Sequence, residues 1–430
     1  MNILQINTAA DTGGAGVAMM RLHRALIDQG HRSRIVARLR KAPQPDVLTI
    51  SEAVGAGNSP VPRLLNNVRM QLDAWFVLPQ LYGSTKRLLH SHLFERADVI
   101  QLHNLHSWYF NYELLPQIAA RKPVVWTLHD MWAFTGHCAY SYDCERWQTG
   151  CFACPLLRGS GRQLVEPRPT LIDRTAQQWQ NKRDLYQASR LHIVTPSLWL
   201  ADQAQRSILG NALSIECIPY GLDLDLYHPL ERNASRQRWG IPTGDRVILF
   251  VAANVRQKRK GLVYLLEALQ RLDNPESTFL LIIGGKPMAG QELSGFRHTH
   301  LEQLSDESML NLAYNAADLF VTPALADNLP LVVMESLACG TPVVAFDVGG
   351  MPEMVAHFET GYLARYKDAS DLAAGMRAIL DDDALRARMR ERCRATAVER
   401  YDLQDQANSY VKLYEYAIRT HQQHANGGRP

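Results

Sequence analysis

The chain has few cysteines, little net charge and no long apolar run. Seven cysteines in 430 residues are too sparse for a disulfide-stapled scaffold. A net charge of +3 gives no argument for nucleic acid, and no basic helix accompanies the cysteines as a zinc-finger module would need. No stretch of about 18 uninterrupted apolar residues exists, so no segment is expected to span a bilayer. "MNILQINTAA" reads directly as a strand, without the basic segment and apolar core of a secretory signal. These absences predict a cytoplasmic chain, in a compartment where disulfides are rare.

What is present is unevenly spread. Residues 1–220 carry 23 Lys and Arg against 16 Asp and Glu, whereas residues 221–430 carry 23 against 27. A basic first half suggests that a negatively charged partner or surface meets it. Within that half, "VPRLLNNVRMQLDAWFVLPQLYGSTKRLLHSHLF" reads as a long amphipathic helix, basic at its ends, over 63–94. It either packs on its own sheet or rests on a membrane surface. Four of the seven cysteines, Cys138, Cys144, Cys151 and Cys154, crowd into one loop, 137–155.

Short apolar runs alternate with amphipathic stretches along the chain. "NILQIN", "RSRIVARL", "ADVIQLH", "KPVVWTLHD" and "RLHIVTPS" read as strands of a first domain, 1–220. "IPYGLDLDLYHP" is a Pro- and Gly-rich break, after which "RVILFVAAN", "STFLLIIGG", "DLFVTPA" and "TPVVAFD" read as strands of a second domain, 221–405. A helix and polar tail, 406–430, complete the chain. Strand–helix alternation predicts an α/β protein with two doubly wound, Rossmann-like domains facing a cleft. Ligands bind such sheets beyond the C-terminal ends of their strands.

Three constellations stand at such ends. Gly13, Gly14 and Gly16 lie between the first strand and its helix, where backbone amides can approach a phosphate; a plain tight turn is the alternative. His103 and the pair His129–Asp130 follow two strands of the first domain. In "TPALADNLPLVVMESLACGTPVVAFDVGGMPE", Asp327 follows a strand and Glu335 sits in the next helix among apolar neighbours. A carboxylate can accept from two sugar hydroxyls at once, so both residues suit a ribose or hexose.

That last stretch resembles the E-x7-E signature of retaining glycosyltransferases of family 4, which have the GT-B fold. It matches "P-S-x-x-E-x-x-P-x-x-x-x-E-A-x-A-x-G-x-P-V-V-A" almost throughout, with Asp327 in place of the first Glu. "IPYGLDLDLYHP", "TGGAGVAMMRLHRAL" and "RKGLVYLLEAL" are similar to the interdomain, glycine-loop and phosphate-lysine segments of the same family. The resemblance implies that Glu335 holds the nucleotide ribose, Asp327 stands by the donor sugar and Lys260 neutralises the diphosphate. It implies that Gly13 and Gly14 face the β-phosphate. It also implies that the amides of Leu331, Val332 and Val333 meet charge growing on the leaving group. Asn254 stands where the family usually has an Arg, with Arg256 or Arg259 as substitutes. His103 matches a histidine near the transferred sugar. Asp130 is either a base for the acceptor hydroxyl or, with His129, only a hydrogen-bond partner of substrate hydroxyls. The triplet Asp223-Leu224-Asp225 lies in the linker and is not read as a metal site.

The resemblance further implies a nucleotide-diphosphate sugar as donor, no metal in the chemistry and a glycan acceptor. A lipid-linked acceptor at the cytoplasmic face of the inner membrane, in exopolysaccharide or lipopolysaccharide biosynthesis, fits the basic first half. The rivals are a hydrolase or small-molecule transferase, and a catalytically silent relative acting as a partner protein. The four-cysteine loop resembles one in a subgroup similar to colanic-acid and exopolysaccharide transferases. Its C-x5-C-x6-C-x2-C spacing offers four ligands for a structural zinc, with disulfides or free packed thiols as alternatives. Because it follows His129–Asp130, the loop is expected to wall the acceptor side.

Overall fold

The computed structural model describes residues 1–55, 68, 82–107, 109–157, 172–286, 293, 295–302, 304 and 306–427. Most of the 63–94 stretch falls outside these residues; its described end forms two short helices, Gly83–Leu88 and His92–Arg96.

The chain forms two compact units, one of residues 1–219 with 404–430, the other of 220–403. The first unit holds a seven-stranded sheet of β1 (Asn2–Ala9), β2 (Arg32–Leu39), β3 (Val47–Thr49), β4 (Val99–Leu102), β5 (Val124–Thr127), β6 (Leu191–Thr195) and β7 (Ser214–Cys217). Its order is β3-β2-β1-β4-β5-β6-β7, with every pairing parallel. All residues of β4, β5 and β6 are buried, as expected of strands covered on both faces. The last helix, Leu403–Gly427, belongs to this unit. There the Tyr410 hydroxyl stands 2.9 Å from Thr127 Oγ1, and the Tyr414 hydroxyl donates to Gln101.

The second unit holds six strands: β8 (Arg246–Val251), β9 (Thr278–Ile283), β10 (Arg297–Leu301), β11 (Leu319–Thr322), β12 (Val343–Phe346) and β13 (Gly361–Ala364). Their order is β10-β9-β8-β11-β12-β13, again all parallel. Strand order reverses between β1 and β4 in the first unit and between β8 and β11 in the second. Neighbouring loops diverge at such points, which leaves room for a ligand. Gly13 and His103 follow β1 and β4, while Lys260 and Asp327 follow β8 and β11. In the linker, Asp223 Oδ1 accepts from the amides of Asp225 and Leu226, each at 3.0 Å, and so closes a turn.

Candidate functional site

In the second unit, β11 delivers the chain into a buried loop that carries Asp327. Lys260 Nζ donates to Asp327 Oδ2 at 2.7 Å, and Arg259 approaches the same oxygen at 3.3 Å. Arg259 also ties the two loops by backbone: its NH1 donates to the Ala326 carbonyl at 2.8 Å, and its carbonyl accepts from Leu325 at 2.7 Å. Gly261 makes this approach feasible. Its φ is +72°, and a Cβ there would stand 1.7 Å from the Pro323 carbonyl oxygen. Burial alone would raise the Asp327 carboxyl, but Lys260 and Arg259 outweigh it and hold the group below its ordinary value. It therefore stays ionised.

Glu335 lies inside the helix Leu331–Ala338 and is 5% exposed. The Tyr314 hydroxyl, from the helix Glu307–Ala316, donates to Glu335 Oε2 at 3.0 Å. Burial and the nearby Glu335 push the phenol far above its usual range, so Tyr314 remains a donor. Leu331 and Val332 open the helix behind Pro330, which supplies no side-chain cap, so the first amides of the helix are not capped by that residue.

The phosphate-side candidates Asn254, Arg256 and Arg259 take different positions. Asn254 turns its Oδ1 back to the Arg256 amide at 3.1 Å, and the Arg256 side chain is exposed. Arg259 is the arginine beside Lys260 and Asp327. The 3-10 turn Lys258–Lys260, packed through Gly261, brings it there, and spacing alone does not show this.

In the first unit, Gly13 and Gly14 start the helix Gly13–Asp28, exposed, with open space where a side chain would project. His103 is 2% exposed, and both its ring nitrogens are engaged. Nε2 lies 3.1 Å from Gln5 Oε1, and Nδ1 lies 2.8 Å from His129 Nε2. His103 thus stands behind His129 as its support. Burial pulls His129 down to about 4 despite neighbouring Asp130, and burial with His129 nearby pulls His103 well below its ordinary value, so both rings are neutral.

Asp130 Oδ1 accepts from the Trp132 amide at 2.8 Å, and Oδ2 lies 3.4 Å from His106 Nε2. Burial raises its carboxyl, but His106 and the Trp132 amide bring it below its ordinary value. His106 was not foreseen; it sits in "LHNLHS" three residues past His103. Its backbone carbonyl accepts from Thr8 at 2.9 Å, and Arg38 holds the Ser107 carbonyl at 2.6 Å.

The four clustered cysteines line one small cavity of about 20 Å³ together with Arg146 and Trp147. All are free thiols, so no disulfide joins them. The Gly136 amide donates to Cys151 Sγ at 3.1 Å, and the Leu156 and Leu157 amides face the Cys154 sulfur. Burial pushes the Cys151 thiol up to about 11. Among the described residues, no three His, Cys, Asp or Glu side chains are arranged to hold a metal ion. Four thiols are the donor set of a structural zinc site, but the sulfurs as placed do not form a coordination shell. Buried Lys182 connects this loop to Asp130. Its Nζ donates to the carbonyls of Trp132 at 2.6 Å and Thr135 at 3.0 Å, and lies 3.5 Å above the Trp132 ring. Among the described residues, no helix is long and apolar enough to cross a membrane.

Comparison with known proteins gives a family match in each unit. Residues 12–226 match Glycosyltransferase Family 4, and residues 231–396 match Glycosyl transferases group 1. WcaC of Escherichia coli (strain K12), named as a colanic acid biosynthesis glycosyl transferase, is 29% identical over 80% of this chain and 83% of its own. Among solved structures, WaaG, a glycosyltransferase involved in lipopolysaccharide biosynthesis, superposes with a TM-score of 0.64 at 18% identity, covering 96% of this chain and 99% of WaaG. Anabaena Alr3699/HepE in complex with UDP gives 0.61 at 17% identity, covering 97% and 100%. These likenesses show the GT-B fold.

Proposed function

Since the chain belongs to Glycosyltransferase Family 4 and is a GT-B glycosyltransferase, we propose that it transfers a sugar from a nucleotide-diphosphate donor to a glycan hydroxyl with retained configuration. The observation that carries this reading is the joined set Lys260–Asp327–Arg259, with Glu335 held by Tyr314 in the following helix. Glu335 receives the ribose hydroxyls. Asp327 receives hydroxyls of the donor sugar. Lys260, with three ammonium donors, bridges Asp327 to the diphosphate. The amides of Leu331 and Val332 meet the phosphate charge that grows as the bond breaks.

In the transfer, the bond from sugar C1 to the diphosphate oxygen breaks, and a bond from C1 to the acceptor oxygen forms on the same face. The acceptor proton passes to the leaving diphosphate. On this reading Lys260, Arg259 and helix amides supply the charge stabilisation, and no metal takes part. His129 and Asp130 bind acceptor hydroxyls, with His103 acting through His129.

HepE was solved with UDP and WcaC is named for colanic acid biosynthesis. By analogy we take a UDP-sugar as the first donor to test and a polysaccharide or lipopolysaccharide precursor as the acceptor. A lipid-linked precursor would place the enzyme at the cytoplasmic face of the inner membrane. Sedimentation with anionic but not neutral liposomes would support that placement, and no sedimentation with either would remove it. The four thiols would serve a structural zinc, whose part is to hold the loop.

The deciding experiment measures nucleotide release from UDP-, GDP- and ADP-sugars beside melting temperature with UDP, GDP, ADP and CMP. A ligand at about 100 times its dissociation constant adds about 2.7 kcal/mol. Stabilisation by one diphosphate, abolished in Glu335→Ala, together with turnover of the matching sugar, is expected. Stabilisation without turnover on any acceptor would favour the silent relative.

A further inference from the structure

Lys182 is 1% exposed, and the chemistry proposed above does not use it. It stands on the helix Thr175–Gln187 of the first unit and holds Trp132 twice. Its Nζ donates to the Trp132 carbonyl at 2.6 Å and lies 3.5 Å above the ring of the same residue. A second bond runs to the Thr135 carbonyl at 3.0 Å. Residues 131–135 form one tight turn, in which the Phe134 and Thr135 amides both donate to the Met131 carbonyl at 3.1 Å. The carbonyls at the end of such a turn need donors from outside it, and Lys182 supplies them.

Trp132 in turn holds Asp130 twice. Its amide donates to Oδ1 at 2.8 Å. Its ring packs at 5.6 Å against that of His106, whose Nε2 lies 3.4 Å from Oδ2. The Asp130 side chain keeps 12% of its surface exposed, and a carboxylate oxygen can accept more than one donor. Other residues of the same helix have a different task. The Tyr186 hydroxyl donates to the Ala133 carbonyl at 2.6 Å, and Trp179 Nε1 to the Trp147 carbonyl at 2.7 Å. Those bonds fasten the loop without passing through Trp132. A plain filler of the space under Trp132 would be apolar, because a buried amine is costly unless its donors are used. Two carbonyls and a ring face instead call for a long side chain that ends in one nitrogen with several donors.

We propose that Lys182 is a positioning residue of the acceptor side: it fixes Trp132 by carbonyl and ring together, and through Trp132 it sets the carboxylate of Asp130. The effect on transfer rests on the reading of Asp130 as a group that binds acceptor hydroxyls.

The full chain, labelled with ¹⁵N at tryptophan, gives the first readout. The Trp132 backbone amide is the resonance that Trp132→Phe removes. In the native protein its proton should lie downfield, as in an amide that donates to a carboxylate. It should move upfield in Lys182→Met, which keeps the length but not the donors, and stay in place in Tyr186→Phe. The second readout is steady-state nucleotide release with methyl hexosides as acceptor probes. Lys182→Met should raise the KM for the hexoside about tenfold, about as much as Asp130→Asn does, with kcat and stabilisation by nucleotide little changed. The two substitutions together should do no more than Asp130→Asn alone, because Lys182 acts through Asp130. Should Lys182→Met not fold, Lys182→Gln, which keeps a donor for one carbonyl, carries the same comparisons. An unmoved Trp132 resonance in the folded variant overturns the proposal. So does a hexoside KM that rises equally in Lys182→Met and Tyr186→Phe, since Lys182 would then be one fastening of the loop among several. A KM unmoved in Asp130→Asn, beside a shifted Trp132 resonance in Lys182→Met, would instead overturn the acceptor-side reading of Asp130 and keep Lys182 as the residue that places it.

Discussion

Lys260 Nζ stands 2.7 Å from Asp327 Oδ2, although 67 positions separate the two residues. The contact makes the expected sugar-side acid and the expected phosphate-side base one electrostatic unit. Lys260→Ala and Asp327→Asn should each lower kcat/KM about 100-fold, as loss of one preorganised partner commonly does. Because the residues share one interaction, the double variant should fall well short of the about 10⁴-fold loss that independent effects would multiply to. Steady-state nucleotide release from the four proteins gives the coupling, and strictly multiplicative losses would mean that the two act separately.

Tyr314→Phe removes the hydroxyl that holds Glu335 Oε2. The carboxylate keeps its burial but loses a donor, a change worth about 1–3 kcal/mol when the acceptor is charged. The donor KM should rise about tenfold with kcat nearly unchanged, since ribose binding is used equally in ground and transition states. A fall in kcat at constant KM would assign Tyr314 to the chemical step instead.

The strands that the sequence reveals and those it hides differ physically. β1, β2, β4, β5 and β6, and β8, β9, β11 and β12, all read as apolar runs. β3, β7, β10 and β13 do not, and these four are the edges of the two sheets. No residue of β7 is fully buried, whereas every residue of β5 is. An edge strand has one neighbour and less covering, so its composition carries little signal. The last helix was legible as a helix, but not its return to the first unit, because its contact to Thr127 spans 283 positions. At the site, Asp327 and Glu335 stood out in the sequence, and Lys260 and Arg259 were named through the family resemblance. His106, Gln5 and Tyr314 were not, because each is set by a side-chain contact that a local motif does not encode.

Acid should weaken the first unit before carboxylates titrate. Burial holds His23 and His129 at about 4, against about 6.5 in an unfolded chain. The folded values lie lower, so the unfolded state binds protons first as pH falls. Their contribution is complete above about pH 6.5 and declines towards about pH 4, by about 1.4 kcal/mol per pH unit for each group. Melting temperature measured between pH 7.5 and pH 4.5 should fall, and His23→Asn should flatten that slope. An identical slope in the variant would place the acid sensitivity elsewhere.

Cys138, Cys144, Cys151 and Cys154 line a single cavity, yet the sulfurs are not arranged as a coordination shell. Zinc would draw four thiolates to about 2.3 Å from the metal and release their protons. The Gly136 amide already points at Cys151 Sγ, and buried Lys182 holds the carbonyls of Trp132 and Thr135 beside the cluster. Both would stabilise negative sulfur. Protein purified without chelator should then hold about one zinc per chain, as a tetrahedral four-thiolate site does. Cys154→Ser should cut the zinc content by more than half and lower the melting temperature, while Cys217→Ser should do neither. Because the loop joins Asp130 through Trp132 and Lys182, Cys154→Ser should also raise the acceptor KM and leave nucleotide stabilisation intact. Zinc-free protein with the native melting temperature would instead leave the four as packed thiols, with the loop held by its own hydrogen bonds.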